Sequence, residues 1–296
     1  MIENDQAILQ RYVEKVGAKL EDYINEMIDK PYARMIWPTR NVDASVSFDI
    51  TERRDRTGDG AKIVAKGTIP KRTGMIAREV PHIMHQFMDS FSINEKDLKR
   101  EKGLKDDLVK ICLDNLQRLE NDVAINGNAE FDIPGIATMA AANPNPPGGF
   151  VIPQGNWDGS GSTRDIYNDL LSARGFMAGK FRPVFLVGCN TDLNWLRAPQ
   201  ADTRRPYWKD VATLFGKSEM DNPDSWMIEM DQEVLTPGYV YMCTKNPKAA
   251  EMVISEDKQL RPIPLQPGGN YPIELYSWLT FEEHDNTGFV KIRTTE

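Results

Sequence analysis

Histidine and cysteine are scarce in this sequence: three of each in 296 residues. The cysteines, Cys112, Cys189 and Cys243, form no CxxC pair and are odd in number. That excludes a disulfide framework and points to buried thiols in a reducing compartment. No run approaches the roughly 20 apolar residues that a membrane-spanning helix needs, and the N-terminus lacks the charged-then-apolar pattern of a secretory signal. Positive charge is also short. The 36 Lys and Arg against 44 Asp and Glu leave a net charge of -8, the wrong sign for a nucleic-acid grip. A soluble intracellular product is expected.

What remains is an ordinary globular balance, 40% hydrophobic and 27% charged, in a chain long enough for one large domain or two ordinary ones. The segment from Ser92 to Gly127, SINEKDLKREKGLKDDLVKICLDNLQRLENDVAING, organises it. Leu104, Leu108, Ile111, Cys112, Leu116, Leu119 and Val123 recur at helical spacing and predict a spine helix over about 92–127, with those residues as its core stripe. Ser92 and Glu95 make a capping box, and Asn126-Gly127 a stop.

Before the spine, Ile8 to Ile28 reads as one amphipathic helix ended by Pro31, packed on its own domain. From Arg40 to Pro81 the period falls to two, with Val46, Phe48 and Ile50 in a first run, then Ile63-Val64-Ala65 and Met75-Ile76-Ala77. Asp59-Gly60 signals a tight turn between the first two. This excursion has little apolar content, and an isolated hairpin is marginal in water, so a neighbouring subunit is expected to support it. The ERRDR run at Glu52 to Arg56 reads as an interaction point between subunits.

After the spine, 143–162 is rich in Pro, Gly and Asn and predicts a long loop or domain junction. A helix over Thr163–Ala178 follows, capped by Ser162 or Thr163, with Ile166, Leu170, Leu171 and Met177 inward. Val184–Val187 is an apolar strand, and Asn190-Thr191-Asp192 caps a helix carrying Leu193, Trp195 and Leu196. Beyond Asp221 come strands at Trp226–Ile228, Tyr239–Cys243, Met252–Ile254, Ile273–Tyr276 and Phe289–Ile292. Helices and strands segregate, which favours α+β.

No constellation carries catalysis. His82 and His85 with Glu79 and Asp89 are the one metal-like cluster, but the order is not HExxH and a solvated junction explains it. Glu282-Glu283-His284-Asp285 precedes a turn and reads as a solvated loop. Cys189, between strand and helix, reads as buried. GDGAK at Gly58 to Lys62 is too short for a P-loop, and neither Gly148-Gly149 nor Gly268-Gly269 fits a dinucleotide fingerprint. No catalytic residue, cofactor or metal is assigned.

The order of elements is more specific than any motif. The segments PHIMHQFMDSFSINEKDLKR, DNLQRLENDVAINGNAEFDIPGI, PVFLVGCNTDLNWL and NYPIELYSWLTFEEHDNTGFVKIR together resemble the HK97-like shell fold of tailed-virus major capsid proteins and encapsulins. The resemblance implies an α+β fold with an N-terminal arm (1–38), an E-loop (39–80), a P-domain (81–160 and about 255–283) and an A-domain (about 161–254 and 284–296). It implies a homo-oligomer of pentamers and hexamers in an icosahedral virion shell assembled in a host cytoplasm. DNA would be enclosed without sequence-specific binding, scaffolding, portal or decoration proteins would be separate partners, and no membrane is involved. The E-loop would lie over an adjacent subunit, with Arg53, Arg54, Arg56, Asp59 and Lys62 at its tip. An encapsulin-type compartment holding an enzyme cargo is the alternative, with a groove near the N-terminal helix for a cargo peptide; MIWPTRNVDASVSFDI lacks the Gly-Pro pair of encapsulins. A metal-dependent enzyme using Glu79, His82 and His85 is the third reading.

Overall fold

The computed structural model describes residues 2–27, 30–43, 48–57, 74–94, 104–158, 165–177, 179–200, 204–263 and 270–295. Helices α1 (Ile2–Gly17), α2 (Leu20–Asn25) and α3 (Tyr32–Ile36) lead to β1 (Thr39–Asn41) and a hairpin of β2 (Phe48–Thr57) and β3 (Gly74–Ile83). Strand β4 (His85–Asn94) and the spine helix α4 (Leu104–Asn126) follow, then α5 (Ile136–Ala142), α6 (Ile166–Phe176), β5 (Phe185–Cys189), α7 (Asn190–Arg197) and α8 (Tyr207–Val211). Strands β6 (Met227–Met230), β7 (Tyr239–Cys243), β8 (Ala250–Pro262), β9 (Asn270–Glu283) and β10 (Phe289–Arg293) come last.

These strands make two four-stranded sheets, ordered β1-β8-β9-β4 and β10-β7-β5-β6. In the second sheet, every residue of β5 is buried, as a continuous apolar run between two partners should be. In the first, β8 carries two register shifts, between Ile254 and Glu256 and between Glu256 and Gln259. Lys258 sits at the second with φ 43°, and this bulge turns its side chain into the interior. The chain crosses from the second sheet back to the first between Cys243 and Ala250.

The spine differs from its sequence reading in two ways. It begins at Leu104 within the described residues, and Ser92 belongs to β4, opposite Pro272 of β9. Phe91 and Ile93 are buried while Ser90 and Ser92 are exposed, so the period here is two and cross-strand bonding displaces the expected capping box. The stripe is also rotated. Leu116, Val123 and Cys112 are buried and Leu108 is half-buried, but Ile111 is 54% and Leu119 40% exposed. Inward positions are taken by Val109, Leu113, Gln117, Glu120, Asn121 and Ala124, half of them polar. Leu104 opens the helix, with its side chain outside the described residues.

Other boundaries moved for local reasons. The N-terminal helix is two pieces, separated at Ala18-Lys19, with Leu9, Val13, Val16 and Tyr23 buried and α1 packed on β8 of its own chain. Asp165 caps α6 by accepting from Asn168 N at 3.1 Å; the expected caps Ser162 and Thr163 lie outside the described residues. Leu171 is exposed rather than inward, and Trp195, on α7, is exposed as well. The described part of the expected junction, 143–158, is knitted to the body. Val151 bridges Ile292, Trp157 N donates to Thr294 O at 2.9 Å, and the buried Trp157 indole donates to Asp169 Oδ2 at 2.8 Å. Burial raises the Asp169 carboxyl above its ordinary range despite the two donors it accepts from.

Candidate functional site

Among the described residues the hairpin pairs with no strand of either four-stranded sheet. Strands β2 and β3 form a two-stranded sheet, registered from Phe48 opposite Ile83 to Thr57 opposite Gly74. Ten residues per strand extend it by about 33 Å. Because facing residues share a face, Phe48, Ile50, Glu52, Arg54 and Arg56 lie on one side with Met75, Ala77, Glu79, Pro81 and Ile83. Two like-charged pairs face each other, Glu52 with Glu79 and Arg53 with Arg78. Such pairs oppose the hairpin's own stability. Arg53, Arg54 and Arg56 are thus in β2, whereas Asp59, Lys62 and the Asp59-Gly60 turn lie outside the described residues, as does the run at Ile63–Ala65.

At the root of the hairpin is a groove of 590 Å³ whose lining includes Ile83, His85, Phe131, Asp132, Pro134 and Glu283. Ile83 is 65% and Phe131 53% exposed. The turn after the spine presents Phe131. Asn128 and Ile133 exchange backbone bonds of 2.8 and 2.9 Å, and the Asn128 Oδ1 accepts from the backbone N of Glu130 and Phe131. Gly127 has φ +73°, and a Cβ on Gly135 would lie 2.1 Å from Gly127 N, so the Asn-Gly…Pro-Gly spacing is required by two backbones in contact. Asp132, at φ 54°, turns the chain beside Phe131. The His85 ring meets Phe131 at 5.6 Å, and burial lowers its pKa.

On another side, the N-terminal arm is fastened to the spine by buried polar groups. Arg34 makes a fork on Asp257 at 2.6 and 2.7 Å and reaches Glu120 at 3.2 Å, and Glu120 is fully buried. Lys258 Nζ donates to Gln117 Oε1 at 2.9 Å, Gln117 donates to Asn121, and Asn121 accepts from Ala33 N while donating to Lys30 O. Burial lowers the Lys258 pKa. Trp37 Nε1 donates to Ala124 O, and its ring lies 4.8 Å from Phe281.

The expected chemical clusters take other forms. Glu79 and His82 lie on opposite faces of β3, by backbone alternation. Asp89 accepts from Asn115 at 2.8 Å and stands beside Cys112, whose thiol burial and that carboxylate push up to about 12. The four are not one cluster. Glu282 is fully buried in β9 rather than in a solvated loop. With Glu251 and His284 it brings three ligand-type atoms within 4.8 Å of one another, a spacing that could hold a metal. Arg40, however, already lies on both carboxylates, at 2.9 Å from Glu251 and 3.4 Å from Glu282, and ties β1 to β8 and β9. Asp285 caps the turn at 286–288 and pairs with Lys180 at 3.1 Å. Cys112, Cys189 and Cys243 are all buried and unbridged.

No family model matches the chain, and no curated protein matches it. Solved structures do. The virus-like particle from Pyrococcus furiosus aligns over 95% of this chain and 99% of its own, at 10% identity and a TM-score of 0.63. The capsid of a native GTA particle aligns over 91% and 92%, at 12% identity and a TM-score of 0.67. The capsid of Myoviridae phage XM1 aligns over 87% and 89%, at 11% identity and a TM-score of 0.63. The chain has the HK97-like capsid fold. In an HK97-like frame the hairpin, the groove at its root and the arm fastened to the spine are its outstanding features, and none has the geometry of an active site. Sequence reasoning missed the groove and the polar stripe. The NG…PG spacing marked the groove's turn, and Gln117, Glu120 and Asn121 at helical spacing marked the stripe.

Proposed function

We propose that this chain is a structural, self-assembling shell subunit: a major capsid protein that builds an icosahedral head from pentamers and hexamers around double-stranded DNA. The observation that carries the reading is the HK97-like fold over more than nine-tenths of the chain, combined with a hairpin that pairs with no other strand among the described residues. Two strands alone are marginal, and like charges face each other across this pair, so other copies supply its support. The layout follows as an arm at 1–38, an E-loop centred on β2 and β3, a P-domain on the first sheet and an A-domain on the second. The net charge of -8 suits a container that encloses DNA without gripping it. The shell would belong to a virion and assemble in the host cytoplasm, with scaffolding, portal or decoration proteins as separate chains.

One observation favours a second reading, an encapsulin-type compartment with an enzyme cargo. Helices α1 to α3 pack on their own subunit, and the Pyrococcus particle aligns over nearly all of both chains. Electron microscopy of the expressed protein tests the shell, and its contents separate the readings: nuclease-protected DNA supports the capsid, a co-purifying protein the compartment. A homogeneous monomer at high concentration refutes both.

A further inference from the structure

We infer that Glu251, Glu282 and His284 form a binding site for a divalent transition-metal ion of the zinc class, with Arg40 orienting its carboxylates. The inference is independent of the shell reading. Sheet register brings the three side chains together. Glu251 of β8 stands directly opposite Glu282 of β9. His284 follows Glu282 by two residues, the spacing that keeps a strand's side chains on one face. The backbone N of His284 donates to Ala249 O at 2.9 Å, which holds it just past the last strand pair. One ligand-type atom from each of the three lies within 4.8 Å of the others.

The separations suit an ion better than a hydrogen bond. His284 Nε2 lies 3.8 Å from Glu282 Oε2 and 4.0 Å from Glu251 Oε2, beyond the reach of an N–H···O bond. An ion bonded to nitrogen and oxygen at about 2.0–2.2 Å spans up to about 4.2 Å between two ligands, and about 3.4 Å when tetrahedral. A shift of about 0.5 Å in the half-buried imidazole closes the ring. Charge favours the same occupant. Two carboxylates directly opposite each other repel, and the fully buried Glu282 cannot spread its charge into water. Arg40 contributes one positive charge, so with the imidazole neutral these four side chains carry one more negative charge than positive. Arg40 reaches the carboxylates from β1, on one side of β8, and His284 from the end of β9, on the other. A carboxylate oxygen has two lone pairs, so Arg40 can stay as the hydrogen-bond partner that aims both oxygens at the ion. Imidazole combined with carboxylate suits zinc and its neighbours, whereas magnesium and calcium take oxygen ligands. With three protein ligands, the fourth position falls to water. The bound ion ties the ends of β8 and β9 together beside β1, the strand that leads into the hairpin.

The test is zinc binding by the full chain, stripped of metal by a chelator and carrying no histidine tag. Calorimetric titration with Zn2+ should show one site per subunit, and Zn2+ should raise the melting temperature. His284→Gln should weaken that binding by about tenfold or more and abolish the rise, while melting as the wild type does in chelator. Glu251→Gln is the second ligand variant and should lose the site in the same way, which keeps the test decisive if the His284 change disturbs folding. His82→Gln, on β3 of the hairpin, should bind zinc as the wild type does. Mg2+ at the same concentration should leave the melting temperature unchanged. A wild type without a zinc site, a site that survives both ligand variants, equal stabilisation by Mg2+, or loss through His82→Gln overturns the proposal. None of these outcomes bears on whether shells form.

Discussion

Replacing Arg34 by alanine isolates the cost of uncoupling the arm from the spine. Arg34 contacts two carboxylates, the partly exposed Asp257 and the fully buried Glu120. Removing one member of a buried ion pair costs about 3–5 kcal/mol, because the other charge is left without compensation. Two features pull this case to the lower end. The Arg34 side chain keeps 23% exposure, so water already shares its charge. Lys258 also lies close enough to Glu120 to act on it electrostatically. The expected loss is about 3 kcal/mol. Replacing Arg34 and Glu120 together by methionine should cost less than Arg34→Ala alone, since the fully buried carboxylate leaves with its partner and the Asp257 that remains is partly exposed. Urea unfolding followed by tryptophan fluorescence, at a concentration where shells are absent, measures both. A loss under about 1 kcal/mol for Arg34→Ala, or a double change no milder than Arg34→Ala alone, refutes the coupling.

The pH dependence follows with a definite sign. Burial alone would raise Asp257, but the bond to Arg34 and its charge outweigh burial and hold the carboxyl below its usual range. A depressed folded-state pKa contributes stability above the unfolded value of about 3.9, and that contribution is lost as pH falls through the folded value. The wild type should therefore hold its advantage over Arg34→Ala at neutral pH and surrender part of it below about pH 4. A deficit that stays constant or widens on acidification contradicts the assignment.

Further outcomes follow from packing and from the hairpin. Leu116→Ala should destabilise the subunit by about 2–5 kcal/mol, whereas Ile111→Ala, on the solvent side of the same helix, should stay within about 0.5 kcal/mol; denaturant midpoints decide. Gly135→Ala drives a Cβ into Gly127 N and should cost about 3 kcal/mol, with a melting temperature near wild type as the contrary result. Deleting residues 52–62 should leave the subunit folded by circular dichroism but unable to close a shell, and normal particles would show that the hairpin does not carry assembly.

The strands of the second sheet were readable from sequence because each is a short apolar run with turn residues on both sides. Val184–Val187 and Tyr239–Cys243 fall within a residue or two of β5 and β7. The hairpin was readable as a ribbon with a thin apolar lining, and its register opposite Gly74–Ile83 was not, since alternation alone does not say which strand faces which. The groove was illegible for a different reason. It joins Ile83, Phe131 and Glu283, residues brought together by sheet order rather than by neighbourhood in the chain.

The spine shows why a periodicity count can find a helix and still misplace its face. Its inward stripe passes through Gln117, Glu120 and Asn121, which an apolar tally assigns to solvent, so the tally moved the core toward Ile111 and Leu119. Those polar groups can be buried only because their partners arrive from far away in sequence: Arg34 and the backbone of Ala33 from the arm, Lys258 from a bulge in β8. Satisfied polar groups share the inward face with the buried Val109, Leu113, Leu116, Val123 and Ala124, and both contribute to the rotation of this helix. The arm and the spine therefore define each other's position, and the exposed apolar residues on the outer face of α4 follow from that pairing.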